Sequence, residues 1–437
     1  MPTSTLSSLH HPQRLAWAGL ALAVGLLWAV ACSDGETPKV EVPRATPTEA
    51  PSGRAEAGGL FASSGTPNDP IPDRILSLPF VAGVSIRTTW ESVEPLEGEF
   101  DWSYIDSQLA RAEAAGKRAI LRVMAGIYAP QWVYDAGAES TVLRGHNQNN
   151  KLFGREFRIP VPWDAVVLDR WKRFIAALGE RYNGHQAIYA VAMAGPTGLT
   201  SEMILPQDEE AWTAAGYSDA RLIAAWTTTI DAYARAFPDT PLSLAVSAIP
   251  IPRHPGTTRP AQEVVAYGLA HYGSQFYVQG NWLADTFPPL DESGPYNELY
   301  QLLSRASSRT TVGFQIGGHK LSGQSYDPES DQDSSTLTTD LGRALERALM
   351  AGASYIELNE RHFNNSTYDS DLRRIALRLA GSSRAPPGGS GRPLWPDRSA
   401  RILPRAEFGG SAPCWLEDAG SPVASGAIPQ SDQASPA

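Results

Sequence analysis

Strand-like and helix-like segments alternate through the middle of this chain, and that alternation confines it to folds built on a parallel sheet. Strand candidates are Phe80–Ile86, Arg118–Met124, Ala187–Met193, Leu242–Val246, Gln275–Val278, Thr311–Ile316 and Ser354–Leu358, each followed by Gly, Pro or polar residues. Gly59–Ala62 supplies an eighth, shorter one. Between them run amphipathic stretches. In Ala165–Tyr182 the residues Leu168, Trp171, Ile175, Leu178 and Tyr182 recur at spacings of three and four, which is one helix face. Similar segments are Tyr104–Ala115, Ser218–Phe237, Ala261–Tyr272, Tyr296–Ser307, Leu337–Ala351 and Ser370–Ala380. Periodicity alone does not separate a closed barrel from an open doubly wound sheet, but no G-x-G-x-x-G follows the first strand to favour the open form. The expected fold is therefore α/β, a (β/α)8 TIM barrel over Gly58–Ala380.

The flanking segments have a different character. Arg14 precedes the apolar run Leu15–Val30, which is short for a bilayer span and suits a signal-peptide core. The run ends in Ala29-Val30-Ala31-Cys32, small residues before a cysteine that resemble a bacterial lipobox. This resemblance implies that residues 1–31 are removed and that Cys32 is lipidated. The protein would then sit in the bacterial cell envelope, anchored to a membrane and facing the periplasm or outside. Ala29 stands where a lipobox usually has Leu, so ordinary cleavage after Ala31 and secretion is the alternative. Residues 32–57 are rich in Pro, Thr, Glu, Gly and Ala and bury too little to offset chain entropy, so they read as a linker; residues 381–437 read as a Pro/Gly/Ser-rich tail. With 36 basic against 47 acidic residues, the basic ones scattered, there is no electrostatic footprint for nucleic acid. Two cysteines, Cys32 and Cys414, leave neither a disulfide framework nor a metal cluster.

The stretch Gly83–Trp102, GVSIRTTWESVEPLEGEFDW, carries a more specific signal. Arg87 at a strand end, Trp90 three residues on, Glu94-Pro95, Gly98 and then Phe100-Asp101-Trp102 resemble the N-terminal part of family 42 glycoside hydrolases and their retaining-glycosidase relatives. Gly126–Trp132, ending in Pro130-Gln131-Trp132, resembles the next loop of such barrels. The resemblance implies a carbohydrate substrate, two carboxyl groups at the C-terminal mouth of the barrel, and no metal or organic cofactor. It further implies that Arg87 orients a catalytic carboxylate. Trp90 and Trp132 are either core and rim packing or platforms for a sugar ring. Glu94 beside Pro95 reads as a loop brace, and His146 as a solvated loop histidine.

In that clan the acid follows strand four and the nucleophile ends strand seven. Counting Gly59–Ala62 as strand one makes Ala187–Met193 strand four, and the first carboxylate beyond it is Glu202, in Thr200-Ser201-Glu202 where Asn-Glu is usual. Strand seven ends with Gln315, and a carboxamide cannot form a glycosyl ester. Strand eight, SYIELNE, offers Glu357, flanked by Ile356 and Leu358 and alternating with Tyr355, with Glu360 in reserve. A Glu357 directed into the barrel needs a partner such as Arg87. It would be either a nucleophile displaced by one strand or a structural ion pair. Asn281 and Trp282, after strand six, are candidates for sugar hydroxyls and a ring face. The expectation is an O-glycosyl hydrolase acting on a β-linked, β-galactoside-like substrate through Glu202 and Glu357. The alternative, suggested by Gln315, is a non-catalytic carbohydrate-binding lipoprotein on the same barrel, with a structural envelope protein as the third class.

Overall fold

The computed structural model describes residues 58–144, 154–198, 202–206, 208–249, 258–289, 293–316 and 340–382. The expectations for Cys32, His146, Thr200, Ser201, the linker and the tail lie outside these residues. In chain order the strands are β1 (Gly59–Ser63), β2 (Val81–Thr89), β3 (Arg118–Met124), β4 (Ser140–Arg144), β5 (Glu156–Pro160), β6 (Ile188–Ala192), β7 (Leu242–Val246), β8 (Phe276–Leu283), β9 (Val312–Ile316) and β10 (Tyr355–Asn359). All but β4 and β5 close into a parallel barrel in the order β1-β2-β3-β6-β7-β8-β9-β10. The eight strands expected from the sequence are these eight, so Ile188–Ala192 is strand four and Val312–Ile316 strand seven.

The barrel's interior is packed with rings. Phe61 on β1 and Tyr189 on β6 belong to strands that are not neighbours, yet their ring centroids lie 5.0 Å apart, so they meet across the lumen. Tyr355 stands edge-on to Tyr189 at 5.5 Å, and Tyr277 lies 5.9 Å from the same ring. This layer fills the lower half of the barrel as side chains do in such folds, so it is not a pore. Gly313 makes room for it, because a Cβ there would stand 2.0 Å from a Tyr355 ring carbon.

Helices cover the outside: Ser103–Ala114, Ala165–Tyr182, Asp219–Ala236, Arg259–Tyr272, Pro295–Ala306, Leu341–Met350 and Asp369–Ser382, with a single turn, Asp73–Leu76, between β1 and β2. The helix Ala165–Tyr182 shows the local logic. Asp164 caps it by accepting from the N–H groups of Val166 and Val167, and Trp171, Phe174, Ile175 and Leu178 form its buried face. Each such side chain contributes about 1.5–3 kcal/mol by leaving water. Gly179 lets this helix approach Asp219–Ala236 closely, since a Cβ there would lie 2.4 Å from the Ala236 carbonyl oxygen. No helix among the described residues is long and apolar enough to cross a membrane.

The antiparallel pair β4–β5, between barrel strands three and four, was not expected from the sequence. It matters to function because its end is tied to the loop after strand four: the Arg144 N–H donates to an Asp208 carboxylate oxygen at 3.2 Å, while the other oxygen caps helix Glu209–Ala214 at the Ala211 N–H.

Candidate active site at the barrel mouth

Glu202 sits on a loop anchored at both ends. Where strand four finishes, the Ala194 carbonyl accepts from Trp171 Nε1 at 2.8 Å, and the Ala194 N–H donates to the Tyr233 hydroxyl at 3.3 Å. Gly195 follows with φ 138°, a conformation side chains rarely adopt, and a Cβ there would lie 2.6 Å from the Trp171 indole. Further along, the Gly198 N–H donates to the Ile204 carbonyl at 2.8 Å, and the Met203 N–H to Ala245 on β7 at 3.1 Å. Trp212 Nε1 donates to the Pro206 carbonyl at 2.7 Å. These contacts hold Glu202 over the barrel between strands four and five.

Across the lumen stands an ion pair. Arg122 Nη2 on β3 lies 3.0 Å from Glu357 Oε2 and 3.3 Å from Oε1, with side chains 3% and 0% exposed. The arginine of Glu357 is thus Arg122 rather than Arg87. Arg87 is registered with Arg122 in the β2–β3 pair, but its Nη1 donates to the Ser64 carbonyl at 3.1 Å. Burial works against the charge on Arg122, but Glu357 first and Glu202 second outweigh it and hold the guanidinium above the usual arginine range. One cation therefore feels both carboxylates.

A chain of amides joins the two. Gln279 Nε2 on β8 donates to Glu357 Oε2 at 2.7 Å and to Asn281 Oδ1 at 2.7 Å; Asn281 Nδ2 donates to Glu202 Oε1 at 2.6 Å. The Gln279 carbonyl accepts from the Tyr355 hydroxyl at 2.6 Å and from Ser243 Oγ at 3.3 Å. Burial, and then the nearby Glu357, push the Tyr355 hydroxyl well above its ordinary value. Gln315 is the register partner of Glu357 on the adjacent strand, so the carboxylate stands at the level expected for strand seven but one strand over.

Two tryptophans considered as sugar platforms, Trp90 and Trp282, are buried. Trp90 is 1% exposed, lies 4.8 Å from Trp171 and 5.7 Å from Trp132 ring to ring, and donates Nε1 to Glu94 Oε2 at 2.8 Å. Trp282 is 5% exposed and wedged against Tyr296 at 5.3 Å, with Nε1 on the Val246 carbonyl at 3.0 Å. In both, burial of the whole ring took precedence over display at the mouth. Trp132 is only partly buried, and its Nε1 donates to the Glu94 carbonyl at 3.0 Å. Glu94 is the loop brace the sequence suggested: its carboxylate takes the Trp90 indole N–H and the Gly98 N–H at 2.9 Å. Burial pushes that carboxyl up despite both donors. Glu360, beyond β10, is likewise raised, by burial and then by Asp69. Arg122, Gln279, Tyr355 and Ser243 were not singled out from the sequence as site residues. Among the described residues no group of three or more His, Cys, Asp or Glu side chains is placed to hold a metal.

Residues 81–235 match the Glyco_hydro_42 family model, described as beta-galactosidase. The matched segment runs from β2 to the helix after β6 and includes Arg87, Arg122 and Glu202; it ends before Gln279, Asn281 and Glu357. No curated protein matches the chain. The catalytic domain of beta-amylase from Paenibacillus polymyxa aligns with a TM-score of 0.50 at 11% identity, covering 75% of this chain and 100% of that one. At that identity the likeness speaks to the fold, a (β/α)8 barrel. Beta-galactosidases from the psychrophilic Marinomonas ef1 (TM-score 0.43, 12% identity, 74% of this chain) and the Antarctic haloarchaeon Halorubrum lacusprofundi (0.46, 12%, 74%) also align. This chain spans 59% and 58% of their respective lengths.

Proposed function

We propose that the protein is an O-glycosyl hydrolase acting on a β-linked glycoside, with Glu202 and Glu357 as its two carboxyl groups. The observation that carries this reading is the unbroken path Glu202–Asn281–Gln279–Glu357–Arg122 across the mouth of the barrel. Hydrolysis of a glycosidic bond needs one carboxyl to protonate the leaving oxygen and a second to attack the anomeric carbon or activate water. Here Glu202 is the proton donor and Glu357 the second group. The match of residues 81–235 to the beta-galactosidase family supports the substrate class and makes an aryl β-galactoside the first compound to test.

One observation favours a second reading. Glu357 is 0% exposed and already bonded to Arg122 and Gln279, as a structural ion pair would be. A barrel with that pair sealed would bind carbohydrate without cleaving it. Incubating the protein with aryl β-galactosides and β-glucosides separates the two. Chromophore release is expected. Calorimetric binding of a sugar without any release would instead establish the binding reading.

The cell-envelope setting belongs to the same proposal. If Cys32 carries a lipid, the full chain should partition with membranes when expressed in a bacterium, and Cys32→Ala should move it to the soluble fraction. Equal partitioning of both would remove the anchor from the proposal.

A further inference from the structure

The polarity of the amide path between the carboxylates is not arbitrary. Arg122 can only donate, so Glu357 presents acceptors, and the group bonded to Glu357 Oε2 must be the NH2 of Gln279, not its carbonyl. The opposite end of Gln279 is correspondingly an acceptor, and it meets the Tyr355 hydroxyl at 2.6 Å. The second hydrogen of the Gln279 amide goes to Asn281 Oδ1, which turns the Asn281 NH2 toward Glu202 Oε1. Every amide orientation is set in turn from a guanidinium at the far end.

We infer that Gln279 and Asn281 are a directional relay that positions Glu202, making its Oε1 a permanent hydrogen-bond acceptor and assigning any acid proton to Oε2. A carbonyl-type oxygen accepts a 2.6 Å bond far better than a hydroxyl oxygen, so the two oxygens of Glu202 are made inequivalent. This rests on the reading of Glu202 as proton donor. Asn281 is thereby a positioning residue, in place of the sugar-hydroxyl role suggested by its sequence position. The charged groups shown to act on this end of the path are the Arg122 guanidinium, from β3, and Glu357, reached from β10 through Gln279.

The test reads Glu202 itself rather than turnover. Carboxyl carbons of glutamate-labelled protein are titrated by NMR, with Glu202 assigned by its loss in Glu202→Gln. Asn281→Asp is isosteric but replaces the donor with a second carboxyl, so the pair titrates jointly and its upper midpoint should lie about one pH unit or more above that of wild-type Glu202. Asn281→Ala removes the donor without adding charge and should raise the Glu202 midpoint by a smaller amount. Unchanged titration of Glu202 in both variants, each folded by circular dichroism, would overturn the relay. Because the titration needs no substrate, a protein that cleaves nothing still answers this question, and a failure of the hydrolase reading stays distinguishable from a failure of the relay.

Discussion

Replacing Arg122 with Met is expected to destabilise the protein by about 3–5 kcal/mol at neutral pH, the cost of leaving a buried charge without its partner. The side chains of Arg122 and Glu357 are 3% and 0% exposed, so solvent screens the charge left on Glu357 only weakly. Gln279 remains as a donor to Glu357, but one neutral amide offsets little of that cost. The gap between wild type and variant is read by urea denaturation at pH 7. Adding Glu357→Gln removes the orphaned charge and should recover most of the loss. A variant as stable as wild type, or a double variant no better than the single, would show that Glu357 does not depend on Arg122.

That ion pair also marks where the sequence was legible and where it was not. The eight barrel strands could be counted because each is a short apolar run ended by Gly, Pro or polar residues, and even Gly59–Ser63 is buried along its whole length. Helix bodies followed from their apolar faces, and most ends shifted by a residue or two; the helix expected from Leu337 begins instead at Leu341, where Asp340 caps it. The pair β4–β5 was missed because each strand shows only five residues around a polar loop, with Val142 exposed. Glu202 and Glu357 stood out as candidates because one is the first carboxylate beyond strand four and the other a carboxylate within strand eight. Arg122 and Gln279 were passed over as members of RAILRVM and FYVQGNWL, although the signal was present. A charged or amide side chain inside a strand buried on both faces must meet a polar partner across the lumen. What the sequence could not supply is which partner, because strand three meets strand eight only once the barrel closes. Arg87, the expected partner, shares its register with Arg122 and stands one strand nearer to strand eight, but its guanidinium donates to the Ser64 carbonyl instead.

Replacing Glu202 with Gln should reduce hydrolysis of glycosides with poor leaving groups by about 10²–10⁴-fold, the usual contribution of a positioned general acid. The substitution keeps the shape of the side chain and its acceptor toward Asn281 Nδ2, so the loop held by Trp171, Tyr233 and Trp212 should not move. What it removes is the transferable proton. That makes the loss depend on the substrate in a way that misfolding would not reproduce. An alkyl or sugar leaving group departs as a strongly basic oxygen and needs protonation, so its cleavage should carry the full loss. A dinitrophenolate leaves readily without help, and its cleavage should fall much less. Comparing kcat/KM for the two classes in wild type and Glu202→Gln yields the difference directly as transition-state stabilisation supplied by one proton. Equal losses on both classes would mean that Glu202 supports the site without donating. Full activity of the variant on alkyl glycosides would remove it from the chemistry and leave the loop after strand four as scaffold. A steep leaving-group dependence would instead make the inequivalence of its two oxygens, set from Arg122 through Gln279 and Asn281, part of how the proton reaches the glycosidic oxygen.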